Sequence, residues 1–283
     1  MDRYAVVGNP VAHSLSPRIH AAFAAATGQR LRYDRLLAPA DGFVASVEEF
    51  FAAGGAGLNV TVPFKQQAAD WVTELDAAAA AAGAVNTIVR AGAGFRGCNT
   101  DGAGLVRDLS VNWGVTLRGA RVLLVGAGGA ARGVVRPLLA QRPQRLVVVN
   151  RNAARAEQLV QSLVAEAALC GDASATISGG ALAAATGPFD LVINGTSAGL
   201  RDAAPAVDPA VVAGACCYDM MYAPVPAPAG ATTFCRWAAA HGASRVSDGL
   251  GMLVEQAALA FEMWRGIAPP TARILAQLRR GGV

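Results

Sequence analysis

A two-lobed α/β fold is what this 283-residue sequence predicts, on three observations. Short apolar, β-branched runs recur along the chain, each bounded by Gly, Pro or Asn, and Ala-rich helical stretches separate them. Alternation of that kind implies parallel strands joined by crossover helices. Near the middle, "RVLLVGAGGAARGV" runs as a strand, breaks at glycines and continues as a helix, which is how a nucleotide-binding βαβ unit opens. That break opens a domain of its own, and the chain is long enough for two.

Taken in order, the strand-like runs are YAVVGN (4–9), GLNVTV (57–62), AVNTIVR (84–90), RVLLVG (121–126), RLVVVN (145–150), DLVING (190–195) and ACCYDMM (215–221). Helical patterns fill 17–27, 66–82, 129–141 and 153–167, and the chain from about Asp248 onward reads as helix. If those last helices fold back on the first hundred residues, the first domain is discontinuous. The expected division is 1–104 with 246–283 as a substrate-binding and catalytic domain, and 105–245 as a Rossmann-like parallel-sheet domain, with the ligand cleft between the lobes.

Composition removes several function classes. No stretch reaches the roughly 18 consecutive apolar residues of a membrane helix. The start, "MDRYAVVGNP", has neither the basic nor the apolar region of a signal peptide, so the expected location is cytoplasmic and no membrane partner is expected. Cys98, Cys170, Cys216, Cys217 and Cys235 are odd in number and contain no C-x-x-C, which argues against a disulfide framework and against zinc; no metal is expected. A net charge of +4 invites a nucleic-acid reading. The arginines are scattered and never form a five-residue basic run, so no nucleic-acid partner is expected.

One count is more informative than the totals. Of the 24 basic residues, Lys65 in "NVTVPFKQQ" is the single lysine. Guanidinium stays charged at every ordinary pH, so Arg cannot replace Lys where a proton must come and go. Lys65 is therefore the first catalytic candidate, against the plainer reading of a solvated surface lysine.

The glycine-rich turn, with Gly126, Gly128 and Gly129 followed by Ala131 and Gly133, permits a tight bend and close approach of a pyrophosphate to the free amides of a helix start. The second strand of such a unit normally ends in an acid that holds the ribose 2′-hydroxyl of NAD. Here it ends in Asn150 and Arg151, with Arg155 close behind. Losing the acid removes a charge that repels a 2′-phosphate, and the guanidiniums match phosphate geometry, so the expected cofactor is NADP. A basic helix start with no ligand is the alternative, and the helix dipole disfavours it.

In "GNPVAHSLSPRIH" the hydroxyls of Ser14 and Ser16 stand in a turn before a helix, where they can cap the helix or bind a small carboxylate; the pattern leaves both open. His13 and His20 lack partner spacing for a metal or a nucleophile and read as structural.

With "NVTVPFK", "GAVNT", "NTDGAG", "GAGGAARG", "NRNAARAE", "NGTSAG", "YDMMY" and "DGLGMLVEQAALAFEMW", that run forms an ordered series over nearly the whole chain which closely resembles the shikimate dehydrogenase family. The resemblance implies an NADP-dependent oxidoreductase that reversibly reduces 3-dehydroshikimate to shikimate, in the pathway to chorismate and the aromatic amino acids, acting as a monomer or homodimer. It implies that Lys65 and Asp101 are the catalytic pair, that Ser14 and Ser16 bind the substrate carboxylate, and that Thr61, Asn86, Asp101, Tyr222 and Gln256 contact its hydroxyls. On the cofactor side it implies Gly126, Ala127, Gly128, Gly129, Ala130, Asn150, Arg151, Arg155, Thr196, Met220 and Gly249. Ala21 and Asn152 depart from residues common in the family, and "YAPVPAPAGATTF" (222–234) departs from its usual short segment after the tyrosine. Competing readings are a quinate or shikimate dehydrogenase of the same fold, a non-catalytic shikimate-binding relative, and a reductase of another hydroxylated cyclic carboxylate. An acid at position 150 favours the first and loss of Lys65 or Asp101 the second, and neither is the case.

Overall fold

Strand and helix alternate through both halves of the chain in a computed structural model that describes residues 1–170, 176–196 and 204–281. The chain divides into two units, one of Met1–Gly104 with Leu253–Leu278, the other of Leu105–Met252 with Arg279–Gly281.

The first unit carries β1 (Asp2–Gly8), α1 (Ser16–Thr27), β2 (Leu31–Leu37), α2 (Phe43–Ala52), β3 (Gly55–Val60), α3 (Lys65–Trp71), β4 (Glu74–Leu75), α4 (Ala77–Ala82), β5 (Thr87–Ala91), β6 (Gly94–Cys98) and the start of α5 (Asp101–Arg107). Its sheet has the order β2-β1-β3-β5-β6-β4. Strands β1, β2 and β3 are parallel, whereas β5 runs antiparallel to both β3 and β6. The expectation of parallel strands throughout is therefore corrected here. The link "GA" after Ala91, with Gly92 at φ +55°, is too short for a crossover and turns the chain straight back.

The expected helix 66–82 is two helices. Leu75 pairs with Gly97 on β6, and Asp76 then caps α4, its carboxylate accepting the Ala79 N–H at 2.6 Å. The expected strand 84–90 starts at Thr87, because Ala84–Asn86 form an approach segment in which the Val85 N–H donates to the Lys65 carbonyl at 2.8 Å. That bond ties the first residue of α3 to the residue before Asn86.

The second unit follows a five-residue π-helical turn (Asp108–Asn112) with β7 (Arg121–Val125), α6 (Gly129–Ala140), β8 (Arg145–Val149), α7 (Ala153–Cys170), β9 (Thr176–Gly180), β10 (Leu191–Asn194), β11 (Cys216–Asp219), α8 (Thr233–Ala240) and β12 (Arg245–Asp248). Its sheet, in the order β12-β11-β10-β7-β8-β9, is parallel throughout. Alternation along β7 explains the apolar run there. Val122 and Leu124 join one core cluster and Leu123 and Val125 another, so both faces of the sheet are covered. Helix α9 (Leu250–Arg265) begins in this unit and ends in the first, and α10 (Thr271–Arg279) follows. Residues 246–252 belong to the second unit and not with the last helices as expected, because β12 pairs with β11 from Arg245 to Asp248 and Arg279 clamps the Asp248 carboxylate.

Candidate active site

Lys65 opens α3 and Asp101 opens α5, and the two turns bring Lys65 Nζ to 2.5 Å from Asp101 Oδ2. Side-chain exposure of 30% for Lys65 and 14% for Asp101 leaves the pair reachable by a small molecule yet shielded on most sides. The other carboxylate oxygen, Oδ1, accepts from Asn86 Nδ2 at 2.8 Å. The same amide nitrogen lies 2.9 Å from Thr100 Oγ1 and 3.2 Å from Gln256 Oε1. Asn86 Oδ1 in turn accepts from the Thr100 N–H at 2.9 Å and from Thr87 Oγ1 at 3.0 Å.

The network continues beneath the site. Asn59 Nδ2 donates to Thr87 Oγ1 at 3.0 Å, and Asn59 Oδ1 accepts from the Tyr33 hydroxyl at 2.7 Å. Asn59, Asn86, Thr87 and Thr100 are all buried, so every amide orientation here is fixed by partners that water does not replace. Asp101 is positioned from below as well, its N–H donating to Asn99 Oδ1 at 3.1 Å. Asn59, Thr87, Asn99 and Thr100 escaped the sequence reading as site residues; their places inside "NVTVPFK", "GAVNT" and "NTDGAG" were the available signal.

Thr61 sits just past β3, its methyl packed over the Cα of Gly8 so tightly that a Cβ there would lie 2.4 Å from it. Ser14 and Ser16 stand side by side, with the hydroxyls 3.2 Å apart and the Ser16 N–H donating to Ser14 Oγ. Ser16 starts α1 followed by Pro17; the N-cap residue Leu15 offers no capping side chain, and Ser14 Oγ accepts the first N–H of the helix while its hydroxyl faces that of Ser16. His20 is fully buried, its ring stacked on Tyr33 at 4.2 Å, and burial pulls its pKa down to about 3. It is a neutral core residue.

In the second unit a cavity of about 570 Å³ opens where β7 and β10 diverge in strand order, the switch point at which open α/β sheets bind ligands. Gly126, Ala127, Gly128, Gly129, Ala130, Asn150, Arg151, Arg155 and Thr196 line it. Gly126 has φ +118° and its missing Cβ would stand 3.0 Å from the Gly195 carbonyl oxygen, so both conformation and space demand glycine. Gly128 and Gly129 face open space at the start of α6, where unpaired amides point outward. Arg151 and Arg155 are exposed, and among the described residues neither is paired with a carboxylate. Glycine turn, helix start and two unpaired guanidiniums in one cavity fit a dinucleotide carrying an extra phosphate.

Met220 and Gly249 lie outside the lining of that cavity. They adjoin it: Met220 Sδ lies 3.3 Å from where a Cβ on Gly195 would be, and a Cβ on Gly249 would reach 2.4 Å from the Met220 carbonyl oxygen. Asn194, fully buried, holds the two loops together. It accepts from the N–H and hydroxyl of Thr196 at 3.1 and 2.7 Å and donates to Asp219 Oδ1 at 3.0 Å. Burial raises the pKa of Asp219. Ser197–Gly199 of the "NGTSAG" motif lie outside the described residues. Tyr222 belongs to the second unit, half-buried after β11, and burial raises its phenol pKa. Leu182 and Ala204–Ala206 also line the cavity, and no sequence signal marked them.

Three comparisons bear on this arrangement. Residues 6–88 match the shikimate dehydrogenase substrate binding domain, 107–198 the shikimate/quinate 5-dehydrogenase family and 249–279 the shikimate 5′-dehydrogenase C-terminal domain. A curated relative from Hahella chejuensis, shikimate dehydrogenase (NADP(+)), is 51% identical over 99% of this chain and 100% of its own length. Among solved structures, an Ael1 enzyme from Pseudomonas putida superposes with a TM-score of 0.87 at 39% identity, covering 98% of both chains. Shikimate 5-dehydrogenase from Thermus thermophilus, in complex with NADP(H) and shikimate, superposes with a TM-score of 0.83 at 31% identity over 99% of each chain.

Proposed function

The chain belongs to the shikimate dehydrogenase family, and from that premise we propose that it catalyses the reversible, NADP-dependent reduction of 3-dehydroshikimate to shikimate, on the route to chorismate and the aromatic amino acids. The observation that carries the reading at the level of chemistry is the Lys65–Asp101 pair, at 2.5 Å, built on the buried Asn86 network.

NADPH, if bound in the cavity at the β7 turn, would supply the hydride. Carbonyl reduction builds negative charge on the substrate oxygen, and an ammonium within hydrogen-bond reach both stabilises that charge and delivers the proton. Lys65 is that group. Asp101 takes one of the three ammonium hydrogens, which leaves the remaining two free to point at a substrate oxygen. Its own Oδ1, shared with Asn86, marks where a substrate hydroxyl is read. Asn86, Gln256 and Thr61 contribute the other hydroxyl contacts, Ser14 and Ser16 receive the carboxylate, and Tyr222 completes the set on family resemblance. Arg151 and Arg155 take the 2′-phosphate, with Asn150 beside them, while the amides around Gly126–Ala130 take the pyrophosphate. Thr196, Met220 and Gly249 would add the remaining cofactor contacts on family resemblance.

We place residues 1–104 and the final helices as the substrate-binding domain and the remainder as the NADP domain, in a cytoplasmic enzyme that works as monomer or homodimer without nucleic acid. No described helix is long and apolar enough to cross a membrane. The test is absorbance at the nicotinamide band with shikimate and quinate, each with NADP and NAD. Robust turnover of shikimate with NADP is expected; turnover only with quinate, or only with NAD, contradicts the assignment.

A further inference from the structure

We infer that Arg35 is a specificity-determining positioning residue, which tunes the Ser14–Ser16 turn to a substrate bearing a carboxylate rather than a neutral group. The inference rests on the reading that this turn receives the substrate carboxylate.

Arg35 projects from β2 toward the turn, and its Nε and Nη2 both donate to the Ser14 carbonyl oxygen, at 3.2 and 2.7 Å. Two donors on one carbonyl fix the peptide that carries Ser14, and the Ser14 hydroxyl then fixes Ser16 through the Ser16 N–H. The strand beneath is itself immobilised. Tyr33, two residues earlier and so on the same face, is buried with its hydroxyl on Asn59. Arg35 therefore reaches the turn from a rigid base.

Its charge is also unspent. The nearby Arg32 and Asp34 pair with each other at 2.7 Å, and among the described residues no carboxylate lies within salt-bridge distance of Arg35. A hydroxyl donates to an ester or amide oxygen as well as to a carboxylate oxygen, more strongly to the charged one. The hydroxyl pair carries no positive charge of its own to hold an anion. A guanidinium one peptide away supplies it, through its field and through the polarised peptide between them.

The test compares shikimate with its methyl ester as substrates of the full-length enzyme and of Arg35→Gln and Arg35→Lys. Gln keeps N–H donors for the Ser14 carbonyl and loses the charge; Lys keeps the charge. Arg35→Gln is expected to raise KM for shikimate by about three- to fivefold, the upper part of the range for one partly screened charge. KM for the ester, KM for NADP and kcat stay within about twofold on the same screened-charge argument. Arg35→Lys restores the shikimate KM to within about twofold, and the wild-type KM for shikimate rises more steeply with salt than that of Arg35→Gln. Equal effects on acid and ester, or an unchanged shikimate KM in Arg35→Gln, overturn the role of Arg35 while leaving the enzyme assignment standing. A wild-type enzyme inactive on shikimate with NADP overturns the assignment, and this inference with it.

Discussion

Asn86 and Lys65 divide the Asp101 carboxylate between them, Asn86 Nδ2 on Oδ1 at 2.8 Å and Lys65 Nζ on Oδ2 at 2.5 Å. The buried amide thus sets the carboxylate plane that orients the ammonium. Because Asn86 is itself gripped by Thr87, Thr100 and Gln256, the geometry of the Lys65–Asp101 pair is inherited from the core of the first sheet.

Arg151 and Arg155 line the cavity at the β7 turn and are the proposed readers of the 2′-phosphate. Arg151→Ala is expected to weaken NADP binding by about one to two orders of magnitude, the worth of a charge-assisted phosphate contact, and to leave NAD nearly unchanged. Fluorescence titration with both dinucleotides checks it. Equal losses for the two mean that the arginine does not read the 2′-phosphate.

Gly104 lies against Gln256 so closely that a Cβ would stand 2.7 Å from Gln256 Cβ and 2.8 Å from its backbone nitrogen. Gly104→Ala must push α9 outward. The expected cost is about 1–3 kcal/mol of stability, as for other overpacked positions. KM for shikimate should rise with it, because Gln256 moves. Urea unfolding together with steady-state kinetics reads both effects; an unchanged KM shows that Gln256 does not touch the substrate.

His20 links stability to pH. Its pKa falls from 6.5 to about 3 on burial, so between those values the unfolded chain binds a proton that the folded chain does not. Stability therefore falls as pH drops below about 6.5. From pH 7 to pH 5 the loss from this group is about 2 kcal/mol. The difference in unfolding free energy between wild type and His20→Phe, measured at both pH values, should change by that amount. A difference independent of pH removes His20 as the source.

How much of this was legible beforehand depended on whether a local pattern carried the information. The βαβ start at Arg121 announced itself because buried parallel strands are continuous apolar runs and the turn needs its glycines. Strand β2, "LRYDRLL", did not, since an edge strand with Arg32 and Arg35 exposed and only Tyr33 buried has no such run. The break in 66–82 was readable at Asp76, a capping residue ahead of six alanines, but the alanines hid it. Lys65 stood out by its uniqueness. Asn59, Thr87 and Thr100 could not, because their function is a chain of side-chain hydrogen bonds between segments distant in sequence.

Asn194 is expected to couple cofactor binding to fold stability. Asn194→Ala removes the donor on Asp219 and the acceptor for Thr196, both buried or half-buried, at a cost of about 1–3 kcal/mol. KM for NADP should rise while KM for shikimate holds. A variant that is destabilised with both KM values unchanged shows the bond to be purely structural.

The measurement that bears most directly on the central claim is the turnover of Lys65→Arg. Arginine keeps the positive charge beside Asp101 and cannot give up its proton near neutral pH. If Lys65 handles the proton of the substrate oxygen, kcat falls by about two to four orders of magnitude with a much smaller change in KM. Circular dichroism confirms that the variant is folded. A folded Lys65→Arg enzyme whose kcat stays within about threefold of wild type, far above the range for losing a general acid, contradicts the claim.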